Sequence, residues 1–287
     1  MQLFNFKKKK AEKLYKASTE IEDEDKQLGM LLQVLELDPN HQFANYQVGF
    51  IHKYRGNWEP SLKYNKHAYE LDKDDEAARW NMAIAATALG EWSIAREAWL
   101  ACGVKIANEE GPVDANCGMT PVRLNPDDDG EVVWGTRLDP ARTQIDNIPF
   151  KKSGFKYGDI VLNDGAAVGY RLYKDIEYPV FNVLELISTS EYQTLTLEVI
   201  IKSDDDLEVL RKAIFKAGYE IEDWTKNTRI LCKQCSEGTL HEEHDNKLEK
   251  EWNAERTLAI ATTDLKDAES LVDQWAKETS SIVVSFE

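Results

Sequence analysis

Cys232-x2-Cys235-x5-His241-x2-His244 is the constellation in this 287-residue chain whose residue types and spacing best suit metal chemistry. Two thiolates and two imidazoles make a tetrahedral donor set for Zn²⁺, and an x2 spacing lets each pair reach one ion. All four donors are protein groups, so such a site is structural and leaves no open position for a substrate. It would staple a long insertion that is otherwise loose. The gap of five residues is short compared with that of the usual zinc finger, and the competing reading is a polar loop with a reduced CxxC pair. Thioredoxin-like exchange is disfavoured, because the motif does not open a helix after a strand. One structural zinc ion is therefore the cofactor expectation, with no other cofactor indicated.

Nucleophilic and acid–base chemistry find little support. No serine sits in a nucleophile elbow and no glycine-rich loop precedes a helix. His41, His52 and His67 are spaced as surface or groove residues. Asp127-Asp128-Asp129 reads as a solvated turn, and Asp204-Asp205-Asp206 as the acidic first turn of a helix. The expectation is a protein that is not an enzyme. The aromatic residues divide into two sets. Tyr54, Trp58, Trp92 and Trp99 read as core in the seam of stacked helices. Tyr46, Trp80 and Asn81 fall on first helices and read as partner-binding residues.

The element that must position them is a repeat. Leu37-Asp38 and Gly56-Asn57-Trp58 return 34 residues later as Leu71-Asp72 and Gly90-Glu91-Trp92, the period of a stacked helix–turn–helix array. Gly49 and Ala83 permit close helix approach, and Gly56 and Gly90 end helices through positive φ. One unit runs from about Gln42 to Lys73 and another from Glu76 to about Val104. Upstream, Gln27 to Leu37 reads as the second helix of an earlier unit, with Lys9 to Thr19 as its first. With Gly49, Gly56, Trp58, Ala68, Ala83, Gly90, Trp92, Ala95 and Trp99 near signature positions, residues 9–104 resemble the tetratricopeptide repeat family. Ser61 replaces the family's usual alanine, and Pro60 is tolerated in a first turn. The resemblance implies an array whose concave face holds a protein. It also matches Asn81 and Gln47 to the position where chaperone-binding members use Asn to hold a peptide carboxylate, although the lysines of that clamp are not matched here.

The fold expected for the whole is multi-domain, α plus α+β: a tetratricopeptide-type helical domain (1–104), a linker (105–130), a small antiparallel β-barrel-like domain (131–189), and a ferredoxin-like βαββαβ domain with the Cys/His insertion (190–287). Short β-rich runs at 131–134, 144–148, 159–162 and 180–186 are separated by turn chemistry at Asp139-Pro140, Ser153-Gly154, Asp164-Gly165 and Tyr178-Pro179. The final hundred residues read strand–helix–strand–strand–helix–strand.

Composition narrows the partners. The net charge is −17. Residues 111–287 hold 20 Lys+Arg against 34 Asp+Glu, hence −14 of it. Such a surface repels phosphate backbones, so nucleic acid is not expected; it attracts a basic protein and speeds the encounter. No stretch approaches the roughly 18 apolar residues of a membrane span, and no membrane partner is expected. The four cysteines are too few for a disulfide scaffold, in keeping with a cytoplasmic protein. The function expected is therefore non-enzymatic protein binding, in its sharper form an acidic immunity- or inhibitor-type protein against a basic partner. The alternative is a zinc-containing regulatory protein or enzyme built on the C-terminal region. A small-molecule sensor finds no specific feature. The oligomeric state has no signature in the sequence.

Overall fold

The computed structural model describes residues 2–107, 110–128, 130–225 and 253–287. These form two compact units: residues 1–117 with Leu138–Arg142, and residues 118–137 with 143–287.

The first unit carries six helices: α1 (Gln2–Ser18), α2 (Glu24–Leu37), α3 (Gln42–Tyr54), α4 (Trp58–Leu71), α5 (Glu76–Ala88) and α6 (Trp92–Ala101). The sequence period is the structural period, because α2, α4 and α6 begin 34 residues apart, as do α3 and α5. Local chemistry sets the ends. Asp75 caps α5 by accepting from Ala78 N at 2.9 Å, and Gln42 Nε2 donates to the same carboxylate at 2.6 Å. Gly56 and Gly90 leave α3 and α5 with φ of 66° and 69°, a conformation that costs glycine little. Gly49 lies where α3 crosses α4. A Cβ there would stand 2.5 Å from Asn65 Nδ2 and 2.9 Å from the Asn65 backbone nitrogen. Ser61 exploits the same approach, its hydroxyl donating to Gly49 O at 2.9 Å. Ala11, Leu31, Val34, Ala44, Val48 and Ile51 form the core between α1, α2 and α3. Trp58 and Trp99 are buried as expected, whereas Tyr54 is 48% exposed.

The second unit holds two sheets, except that their residues Leu138, Asp139 and Arg142 fall in the first unit. The first sheet comprises β1 (Met119–Leu124), β2 (Glu131–Asp139), β3 (Arg142–Ile145), β4 (Ile160–Tyr173) and β5 (Ile176–Ser188). It closes on itself in the order β1-β2-β3-β4-β5, with β1 antiparallel to β2 and parallel to β5. Val122, Leu124, Val133, Ile145, Val161 and Val183 fill its interior. Two features differ from the sequence expectation. Met119–Leu124, within the stretch read as linker, is a strand. Asp164-Gly165 and Tyr178-Pro179, read as turns, lie inside β4 and β5: register shifts absorb the residues around Gly165, and Pro179 pairs with Tyr170. The reversal occurs instead at Lys174 and Asp175, with φ of 49° and 62°, as a two-residue hairpin turn requires.

The second sheet runs β7-β8-β6-β9, from β6 (Gln193–Ile200), β7 (Glu220–Asp223), β8 (Glu255–Thr262) and β9 (Ile282–Phe286), with α7 (Asp204–Lys216) after β6 and α8 (Leu265–Thr279) after β8. Every recorded strand pair in it is antiparallel. Period-two alternation assigns its faces. Leu195, Leu197, Val199, Leu258 and Ile260 pack with Leu210, Ile214, Val272 and Trp275 of the helices. Ala259 and Ala261 point to the other face, against Ile148 and Trp224.

Candidate functional site

On α3 the buried positions Ala44, Val48 and Ile51 leave the opposite stripe to Phe43, Tyr46, Phe50 and Tyr54, at helical spacings of three and four. Phe43 is 59% exposed and Tyr54 48%. The rings form a ladder: Tyr46 to Phe50 at 5.9 Å and Phe50 to Tyr54 at 4.9 Å between centroids. Tyr15 of α1 extends it, stacked on Phe43 at 6.2 Å. The Lys53 ammonium lies 4.2 Å from the Tyr54 ring centroid. Large, stiff amphipathic rings of this kind give contact area at low entropic cost, which suits them as anchors for a protein partner.

The four residues read from sequence as partner-binding are distributed unequally. Tyr46 belongs to the ladder, and Gln47 beside it is half-buried. Trp80 packs edge-on against buried Trp99 at 4.9 Å, and Asn81 is only 7% exposed. Phe43 and Phe50 were missed, although their spacing from Tyr46 and Tyr54 opposite the core stripe is a signal a helical wheel would have shown. The three histidines have local roles. His41 caps α3 through Ala44 N at 3.2 Å. The His52 ring stacks on Tyr64, and burial together with nearby Arg55 lowers its pKa. His67 contacts Asn40 at 3.2 Å.

A second cluster has no counterpart in the sequence reading. In the second unit, residues 146–150, following β3, are held by carboxylates from both sheets. Glu222 of β7 accepts from Asn147 Nδ2 at 2.7 Å and from Ile148 N at 3.1 Å. Glu131 of β2 accepts from Phe150 N, at 3.2 Å to its nearer oxygen. Trp224 Nε1 donates to Ile148 O at 3.1 Å, and its ring lies 4.7 Å from that of Phe150. Asn147 Oδ1 accepts from Trp134 N at 2.6 Å. Burial pushes the Glu131 carboxyl up to about 7, with Glu222 reinforcing the rise while the Phe150 amide, Lys152 and Arg171 oppose it. Burial raises Glu222 as well, against the bonds from Asn147 and Ile148.

Cys232, Cys235, His241 and His244 lie outside the described residues. Among the described residues no group of three or more His, Cys, Asp or Glu side chains is placed to hold a metal ion. No described helix is long and apolar enough to cross a membrane. No family model matches the chain, and no curated protein matches it.

Proposed function

We propose that this is a non-enzymatic protein–protein interaction protein whose helical array presents the α3 aromatic ladder to a partner. The run Phe43–Tyr46–Phe50–Tyr54, exposed at Phe43 and Tyr54 and half-buried between them, within helices of period 34 carries the reading. The tetratricopeptide-repeat reading of the first unit is supported by the common 34-residue offset of its helices and their caps. Strand order β7-β8-β6-β9 with two crossing helices supports a ferredoxin-like reading of the second sheet, and the β1–β5 pairing a small barrel for the first. The charge of −17 favours a basic partner and a role of the immunity or inhibitor type, and disfavours nucleic acid.

Affinity capture with the full chain tests this. Phe43→Ser/Phe50→Ser, checked for native helicity by circular dichroism, should lose the captured partner. Two hot-spot rings at about 2 kcal/mol each amount to roughly a thousandfold in affinity. Equal capture by both proteins would refute the assignment of the ladder. For a basic partner, the association rate should fall steeply between low and high salt.

A further inference from the structure

Two carboxylates that belong to different sheets converge on one five-residue segment. Glu131 and Glu222 are both half-buried, and they hold amides two residues apart, Phe150 N and Ile148 N. That is an unusual way to pin a loop. A buried carboxylate is costly when charged, and two near each other are costlier still. A single proton on the pair relieves both terms while leaving acceptor oxygens for both amides.

We propose that Asp146–Phe150 is a proton-operated joint between the two sheets of the second unit: tight while the Glu131–Glu222 pair retains a proton, and loosened when both are charged. The surroundings are mixed. Among the described residues, the charged groups acting on the pair from β2, β3, β4, β7 and the 3-10 turn Lys151–Ser153 include Lys152 and Arg171, which favour ionised Glu131, and Glu220, which disfavours ionised Glu222. Asp146 adds negative charge against Glu220 at the rim. Lys152 and Arg171 do not outweigh the burial of Glu131, whose carboxyl lies at about 7. The joint therefore tightens as pH falls through that value and slackens as it rises. Its movable part is the packing of Trp224 on Ile148 O and Phe150.

Site-resolved amide hydrogen exchange on the full ¹⁵N-labelled chain tests it, with rates corrected for intrinsic exchange. Between pH 5.5 and pH 8.0 the protection of Ile148 and Phe150 should fall at least tenfold, while Leu197 in β6 keeps its own. In Glu131→Gln, which cannot ionise, the fall should vanish. An unchanged protection in the wild type, or the same fall in the variant, overturns the proposal. Should Glu131→Gln fail to fold, the ¹³C shift of the Glu131 carboxyl in the wild type decides. A titration midpoint above 6 supports the joint, and one below 6 refutes it.

Discussion

The Asp139–Arg142 pair of the first unit offers a demanding test, because its members are linked to each other and to their surroundings by different bonds. Asp139 is fully buried and Arg142 is 6% exposed. Asp139 Oδ1 accepts from Ala141 N and Arg142 N, both at 2.8 Å, and Oδ2 from Arg142 Nε at 2.7 Å. The guanidinium also donates to Val113 O and lies 4.8 Å from the centroid of the Trp92 ring. Arg142→Met strands a buried carboxylate. Asp139→Asn keeps an acceptor for the two amides but strands a buried cation. Removing one partner of a buried pair costs about 3 kcal/mol at the low end of what is measured, so each single variant should lose about that much. The double variant strands no charge. It forfeits the Val113 bond and the ring contact, and should lose no more than about 3 kcal/mol in all, giving a coupling of about 3 kcal/mol. Urea unfolding of the full chain, followed by the helical signal at constant slope, measures all four proteins. Losses that simply add, to about 6 kcal/mol in the double variant, would show that the charges do not act as a pair.

Gly135→Ala should destabilise the second unit by about 3 kcal/mol, because the new Cβ would meet the backbone oxygen of Gln144 at 2.3 Å and backbone cannot move aside cheaply; a melting temperature within a degree of wild type contradicts this. Asp75→Ala removes the cap of α5 and should cost about 1 kcal/mol, read by urea midpoint, with Asp75→Asn recovering most of it. For Glu131 the folded pKa of about 7 stands above the ordinary glutamate value of 4.5, so the penalty on the charged form is absent below 4.5, grows from there to 7, and is complete above. Stability from this group thus falls as pH rises through that window, and Glu131→Gln should gain up to about 3 kcal/mol at pH 8 and nothing at pH 4. An equal gain at both pH values rejects the ionisation argument. Metal analysis of fresh, unchelated protein should find near one zinc per chain, lost in Cys232→Ser; less than about a tenth of an equivalent removes the zinc expectation.

The helices were legible because their signals are local. Gly56 and Gly90 at helix ends act within one turn of chain, and the 34-residue period repeats the same local pattern. The strands of the second sheet were legible for the same reason, through alternation in Leu195–Leu197–Val199 and an acidic first turn at Asp204. β1 was hidden because Pro121 and Arg123 interrupt its apolar pattern and Cys117-Gly118 and Asn125-Pro126 mark turns on both sides. Its identity as a strand comes from pairing with β2 and β5. Gly165 and Pro179 misled because turn propensity takes no account of a bulge or of a cross-strand partner. The joint at 146–150 had no sequence signal. Glu131 and Glu222 are ordinary surface-type residues until the fold brings one across 19 positions and the other across more than 70 to the same loop.

The division of the chain into 1–117 with 138–142, and 118–137 with 143–287, bears on how the protein is made. During synthesis the six helices emerge before the strands, yet the residues that place a cation over Trp92 and a donor on Val113 O arrive only with Arg142. Domains generally fold as units as they leave the ribosome, but this one must wait for residues 118–137, which belong to its neighbour. A fragment ending near residue 117 would resemble that waiting state, with the Trp92 ring lacking its guanidinium. Partner mapping is therefore better done with point variants of the whole chain than with halves of it.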